Sequence, residues 1–154
     1  MLAGDSAGGG IAVAVAQTLR DHGGPQPTHL LLHAPWVDLT TSTPATRWYA
    51  KRDPWLRITK LEAYARWWAG SSDDLDRPEV SPALADLAGL PPGLLFVGTR
   101  DLLLPGCRLL ARRAEEAGWD LTLVEEPGLI HVYPPLSMIP EAQRAWRTTL
   151  DFLR

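Results

Sequence analysis

Three short apolar runs, HLLLHA (29–34), GLLFVG (93–98) and DLTLVE (120–125), constrain this chain more than anything else in it. Each is too short for a core helix and is flanked by proline, glycine or polar residues, so each reads as a strand. The stretches around them have helical spacing. Residues 11–19 are rich in Ala and Val and meet no breaker until Gly23. Residues 102–117 place Leu103, Cys107, Leu110, Ala114 and Ala117 on one stripe, with Arg108, Arg112, Glu115 and Glu116 off it and Gly118 at the stop. Residues 140–153 put Ala142, Ala145, Trp146, Leu150 and Leu153 on one face. The order is helix, strand, insertion, strand, helix, strand, helix. This alternation predicts an α/β fold with a mostly parallel sheet covered on both faces.

The insertion covers residues 35–92. Prolines punctuate it, and it holds five of the seven tryptophans. One helix is readable inside it. Thr59 and Glu62 have capping-box spacing, Leu61, Tyr64, Ala65 and Trp68 share a face, and Gly70 ends it. The segment is too short for a core of its own and reads as part of a single domain.

At 154 residues, with 45% apolar and 21% charged residues, the chain has the profile of a globular protein. The net charge of −3 comes from interspersed acids and bases, so no basic face invites nucleic acid or an anionic membrane. No apolar run approaches the roughly 18 residues of a membrane span. Residues 11–16 resemble a signal sequence only superficially, because no Lys or Arg precedes them and Asp5 does. The single Cys107 excludes an internal disulfide and fits a reducing compartment; the expected location is the cytoplasm.

The chemistry starts at GDSAGGG (4–10). Gly4-x-Ser6-x-Gly8 matches the nucleophile elbow, a sharp strand-to-helix turn that lifts a serine hydroxyl into the open. The flanking glycines are expected where a Cβ would collide. The turn also sets the serine at a helix N-terminus, where free N–H groups favour negative charge, and makes the N–H of Ala7 a candidate oxyanion donor. Composition alone supplies such a motif in roughly 5% of chains this long, so context has to carry it. A helix follows at once. A P-loop fails because Gly10 and Ile11 stand where Lys and Ser/Thr are needed, and a dinucleotide fingerprint fails at Val13.

A serine needs a base, and the base an orienting carboxylate. Asp101 stands three residues beyond LLFV, and His131 follows the DLTLVE strand and a turn. Ser6, Asp101, His131 is the chain order of an α/β-hydrolase. Of the other histidines, His22 reads as a helix-end cap, and His29 and His33 as packing residues. Asp38 and Asp53 fall in the proline-rich insertion and read as turn caps, with Asp38 the stronger alternative acid. The acidic run 73–76 lacks the glycine and distal Glu of a calcium loop, and no metal or cofactor is expected. Cys107 reads as core packing.

These motifs resemble the hormone-sensitive-lipase-like family of α/β-hydrolases. The GDSAGG elbow, APWVDLT (34–40), VSPALADLAGLPPGLLFVGTRDLLL (80–104) and LARRAEEAGWDLTLVEEPGLIHVY (110–133) carry the resemblance over nearly the whole chain. It implies a carboxylic ester hydrolase with Ser6 as nucleophile, Asp101 as acid and His131 as base. The implied substrate is a small ester with a short or medium acyl chain, and a cap-like insertion at about 36–80 puts Trp36 and Trp55 over the acyl pocket. Where many family members carry Gly-Phe after the histidine, this chain has Val132 and Tyr133. The resemblance also implies about five strands and an HGGG-type oxyanion segment ahead of the elbow, whereas only four residues precede Asp5. On that reading the chain corresponds to the C-terminal portion of the fold. Its open sheet edge would pair with a second copy or aggregate, and ester turnover by the chain alone would be weak or absent. The alternative is a non-catalytic scaffold or inactive fragment of such an esterase.

Overall fold

A computed structural model describes residues 1–41 and 43–154. Four strands, β1 (Leu2–Asp5), β2 (Leu30–His33), β3 (Gly93–Gly98) and β4 (Leu121–Glu126), form one sheet in the order β1-β2-β3-β4. All three pairings are parallel. Parallel neighbours need crossovers, and helices supply them. The chain passes from β1 through α1 (Ser6–Asp21) to β2, and from β3 through α4 (Leu104–Ala117) to β4. After β4 it ends in α5 (Pro140–Phe152). Because every pairing is parallel, every strand leaves the sheet at the same carboxyl edge.

The central strands are buried on both faces, which is why they read as unbroken apolar runs. Side chains alternate across the sheet. Leu30, Leu32, Leu95 and Val97 join Ala12, Val13 and Ala16 of α1 and Leu104, Cys107, Leu110 and Ala114 of α4 in the larger core. Leu31, Leu94 and Phe96 point the other way and pack with Tyr133 and with Ala145 of α5. On α5 the buried side chains are Ala142, Ala145 and Thr149, while Trp146 and Leu150 are exposed. The face is therefore rotated from the one expected from sequence, because small residues fit against the sheet where larger ones do not.

Between β2 and β3 the chain forms α2 (Thr46–Tyr49), α3 (Ile58–Ala69) and two short 3-10 turns at Ser72–Asp74 and Pro82–Leu84. This segment adds Trp36, Val37, Leu39, Leu61, Ala65, Val80, Ala83 and Leu87 to the larger core. Buried polar groups sew it to the helices below. The Gln17 amide donates to the carbonyls of Pro82 and Asp86, and Arg113 donates to those of Leu84 and Ala85. Ser81 is fully buried, donating its hydroxyl to the Leu75 carbonyl and accepting the N–H of Leu39. The capping box expected at Thr59 and Glu62 is not used. Arg57 is the N-cap of α3 and Thr59 already lies inside the helix, although Gly70 does end it in the left-handed region at φ 85°. Leu61 and Ala65 are buried as expected, but Tyr64 and Trp68 stand 46% and 59% exposed. Their aromatic rings face a cleft rather than the core.

Among the described residues no helix is long and apolar enough to cross a membrane.

Candidate active site

Because the strands are parallel, the loops after β1, β3 and β4 open on one edge of the sheet, the usual place for ligands in open α/β sheets. Ser6 follows β1 directly and opens α1 with φ 52°. A non-glycine residue pays for that backbone, about 1–3 kcal/mol, and such strain persists only where its surroundings enforce it. Part of the enforcement is a close approach. A Cβ on Gly4 would lie 2.3 Å from the Gly8 carbonyl oxygen. Gly8 itself has open space where its own Cβ would stand. The expectation that both flanking glycines are sterically required is thus corrected: Gly4 is, and Gly8 enters as the backbone that Gly4 touches. Gly9 and Gly10 answer to a different neighbour, the loop at Pro35 and Trp36, on which the start of α1 rests.

Asp101 lies in the loop between β3 and α4 and is 0% exposed. Its Oδ1 accepts the Leu103 N–H at 2.8 Å. Its Oδ2 lies 2.9 Å from His131 Nδ1. On the other side of the same ring, Nε2 lies 2.9 Å from Ser6 Oγ. The three side chains therefore form one hydrogen-bonded row across three loops. Burial pushes the Asp101 carboxyl above its ordinary value, the Asp53 charge adds to this, and His131 and the Leu103 N–H pull it back. An ionised Asp101 accepts a hydrogen bond from the Nδ1–H of a neutral ring. Nε2 is then left bare to accept the serine O–H.

The His131 loop reaches this position by crossing the end of β3. Arg100 N–H donates to the Leu129 carbonyl at 2.9 Å, and Gly128 N–H donates to the Thr99 hydroxyl at 2.8 Å. Gly98 makes room for it, since a Cβ there would lie 2.2 Å from the Leu129 oxygen. Gly98 was not singled out in the sequence, yet its place between a buried strand and the Asp101 loop is the available signal. Val132, next to His131, takes φ 51°, a backbone region where a β-branched residue is rare. The Gly-Phe pattern of the resembled family would relieve it.

Ala7, exposed at the first turn of α1, also lines a cleft of about 380 Å³. The other walls include Ile11, Trp36, Tyr64, Trp67 and Trp68, and the one charged side chain among them is Glu79. Of the two tryptophans favoured in the sequence, Trp36 lines this cleft. Trp55 does not; its ring stands edge-on to His131 with centroids 5.6 Å apart. Tyr64 and Trp68, expected on the core face with Leu61, form a cleft wall instead, together with Trp67, which no sequence pattern singled out.

The remaining candidates lie apart from the row. Asp38 caps its own turn, accepting from the N–H and hydroxyl of Thr40. Asp53 accepts from the N–H groups of Trp55, Leu56 and Leu102. His22 sits at the end of α1 against the Thr18 carbonyl, and His29 packs on Phe152. His33 packs on Phe96 and Trp146, and burial pushes it below its ordinary value. Cys107 is fully buried, with its thiol pushed well up.

Comparison with known proteins points the same way as the fold. A sequence profile of the alpha/beta hydrolase fold family matches residues 1–135. The chain is 40% identical to an acetyl-hydrolase of Streptomyces hygroscopicus, over 99% of this chain and 51% of that protein. It is 32% identical to the carboxylesterase NlhH of Mycobacterium tuberculosis, over 92% of this chain and 45% of that one. The crystal structure of an esterase from the bacterial hormone-sensitive lipase family superposes with a TM-score of 0.91 at 35% identity, over 99% of this chain and 51% of the other. That of EstE5 soaked with p-nitrophenyl butyrate gives 0.90 at 33% identity, again over 99% and 51%. The chain thus spans about half the length of the relatives it matches. Profile, relatives and superposition agree, and the chain belongs to the α/β-hydrolase family, among its hormone-sensitive-lipase-like members.

Proposed function

We propose that residues 1–154 carry the nucleophile, acid and base of a carboxylic ester hydrolase. The observation that carries this reading is the row Ser6–His131–Asp101, with 2.9 Å at both joints and the serine held at φ 52°. Ser6 Oγ attacks the acyl carbonyl carbon as its proton passes to His131 Nε2. The carbonyl oxygen becomes an oxyanion, and the N–H of Ala7 at the start of α1 donates to it. As the carbon–oxygen bond to the alcohol breaks, His131 returns the proton to the leaving oxygen and the acyl group remains on Ser6. A water then loses its proton to His131 and attacks the acyl carbon, and as the bond from that carbon to Ser6 Oγ breaks, His131 returns the proton to Oγ and the acid leaves. Throughout, Asp101 holds Nδ1–H and stabilises the imidazolium that forms in each half-reaction.

The substrate is an uncharged ester of short or medium acyl chain. The cleft beside Ala7 is walled by aliphatic and aromatic side chains and carries no basic group among its lining residues, so nothing there favours a phosphate or polyanion. Residues of about 36–80 act as a cap over it. No cofactor or metal enters the reaction. The test is hydrolysis of a p-nitrophenyl acyl ester beside p-nitrophenyl phosphate. Release from the acyl ester that depends on Ser6, weak where residues 1–154 are assayed alone, with none from the phosphate, is expected. Comparable turnover of both contradicts the substrate class. A folded chain with no Ser6-dependent turnover favours the alternative, a non-catalytic scaffold or an inactive fragment of such an esterase.

A further inference from the structure

Asp53 lies far from Asp101 in sequence, yet it is 4% exposed and grips the same loop. Its Oδ1 accepts the N–H of Trp55 at 2.7 Å and that of Leu56 at 2.8 Å. Its Oδ2 crosses to the loop after β3 and accepts the N–H of Leu102 at 2.7 Å. The next N–H, that of Leu103, goes to Asp101 Oδ1. Consecutive backbone donors of one loop are thus shared between two buried carboxylates. Trp55, held by the same Asp53, places its 62% exposed ring against His131. One side chain therefore touches both the acid loop and the wall behind the base without touching the row itself.

A turn cap alone would not need this arrangement. Oδ1 already closes the turn at Trp55 and Leu56. Burying a second carboxylate beside Asp101 costs electrostatic repulsion, and the fold carries that cost where the 53–56 turn meets the acid loop. We propose that Asp53 is a positioning residue for the hydrolytic site: it fixes the Asp101 loop through Leu102 and sets Trp55 as the backing of the His131 ring. The inference rests on the serine-hydrolase reading. An asparagine cannot replace this group. Oδ1 and Oδ2 both act as acceptors, so either orientation of the amide points an NH₂ at a backbone N–H.

The test compares wild type, Asp53→Asn and Trp55→Ala, with Ser81→Ala as a buried-polar control that loosens the same segment away from the row. Two readouts are taken well below each melting point. One is the rate at which an alkyl fluorophosphonate labels Ser6, and the other is the far-downfield proton resonance of the Nδ1–H shared by His131 and Asp101. In Asp53→Asn the labelling rate is expected to fall by roughly 10- to 100-fold, the scale of a small misplacement in a site, and the resonance to shift or broaden. Ser81→Ala should leave both unchanged. Trp55→Ala should melt like wild type, move the resonance and slow labelling by roughly threefold or more, the scale of a contact below 1 kcal/mol. An Asp53→Asn protein that labels within about twofold of wild type and keeps the resonance overturns the proposal. If that variant does not fold, Trp55→Ala decides, and an unmoved resonance with unchanged labelling overturns it. Absence of labelling in the wild type contradicts the serine-hydrolase reading instead, and the resonance then tests Asp53 alone.

Discussion

Asp101 and Leu110 are nine positions apart and equally inaccessible, both 0% exposed, yet their surroundings obey opposite rules. Leu110 belongs to the α4 stripe, where burial of aliphatic surface stabilises the fold and no polar group needs a partner. Asp101 belongs to the strand-end loops. Its charge is held out of water and its carboxyl is pushed above the ordinary value of 3.8, while Ser6, across His131 from it, keeps a strained backbone. This chain gains stability in its helix faces and gives up some of it at one edge of the sheet. Replacements in the two regions should therefore separate stability from activity.

The largest separation is expected for Asp101→Asn. The amide presents an NH₂ to Nδ1 and favours the wrong tautomer, so kcat/KM should fall by about 10⁴-fold. Stability should not fall with it. Asp101 is raised in the fold, so the native state binds this proton more tightly than the unfolded chain does. Its contribution to stability therefore declines as pH rises from about 3.8 through the folded value, and the amide removes that loss at neutral pH. A melting scan at pH 7 alongside an acyl-ester assay checks both halves. A variant that melts well below wild type would place Asp101 with Leu110, not apart from it.

The reverse is expected of Leu110→Ala, which should cost about 2–5 kcal/mol in urea unfolding. At low temperature, where it is still folded, it should leave the rate of Ser6 labelling nearly unchanged. A smaller effect, about 1 kcal/mol, is expected between two variants at one position. Ser6→Gly relieves the left-handed backbone and Ser6→Ala keeps it, so the glycine variant should melt higher although both are inactive. Equal melting points would mean that Ser6 carries no strain.

On α3 the two rules meet in a single helix. Leu61 and Ala65 face the core while Trp67, 76% exposed, lines the cleft. Trp67→Ala is expected to leave stability within about 0.5 kcal/mol. It should lower kcat/KM by roughly fivefold on longer acyl chains and less on acetate, as loss of a contact worth about 1 kcal/mol would. The smallest effect concerns His33, on the opposite face of the sheet. Burial lowers it from the ordinary 6.5, and the charge of Asp5 partly offsets that. The unfolded chain therefore binds this proton more readily, and stability is lost as pH falls below about 6.5. His33→Phe should flatten that slope by no more than about 1 kcal/mol per pH unit, read from melts between pH 5 and 7.5.

The same division explains what was legible in the sequence. The strands at 30–33, 93–98 and 121–126 and the α4 stripe could be read because aliphatic periodicity reports burial and little else. Ser6, Asp101 and His131 could be placed on one edge because strand ends of a parallel sheet converge, and chain order supplied the rest. Side chains that serve the cleft were harder. Tyr64 and Trp68 have the spacing of core residues, and only the three-dimensional path of α3 turns them, with Trp67, towards the cleft. Asp53 looked like a turn cap, which it is, but its second oxygen reaches a loop 49 residues away, and local pattern holds no trace of that. Thr59 and Glu62 have the right spacing for a cap, but Thr59 stands two residues past Arg57, where the helix is capped.

Ser6, made reactive by His131 and Asp101, is the proposed nucleophile. Reaction with a limiting amount of an alkyl fluorophosphonate, followed by intact-mass analysis and peptide mapping, tests it most directly. The expected result is a single adduct on Ser6, absent in Ser6→Ala and formed far more slowly in Asp101→Asn and His131→Ala. An adduct on another residue, or labelling that persists unchanged in Ser6→Ala, would contradict the account.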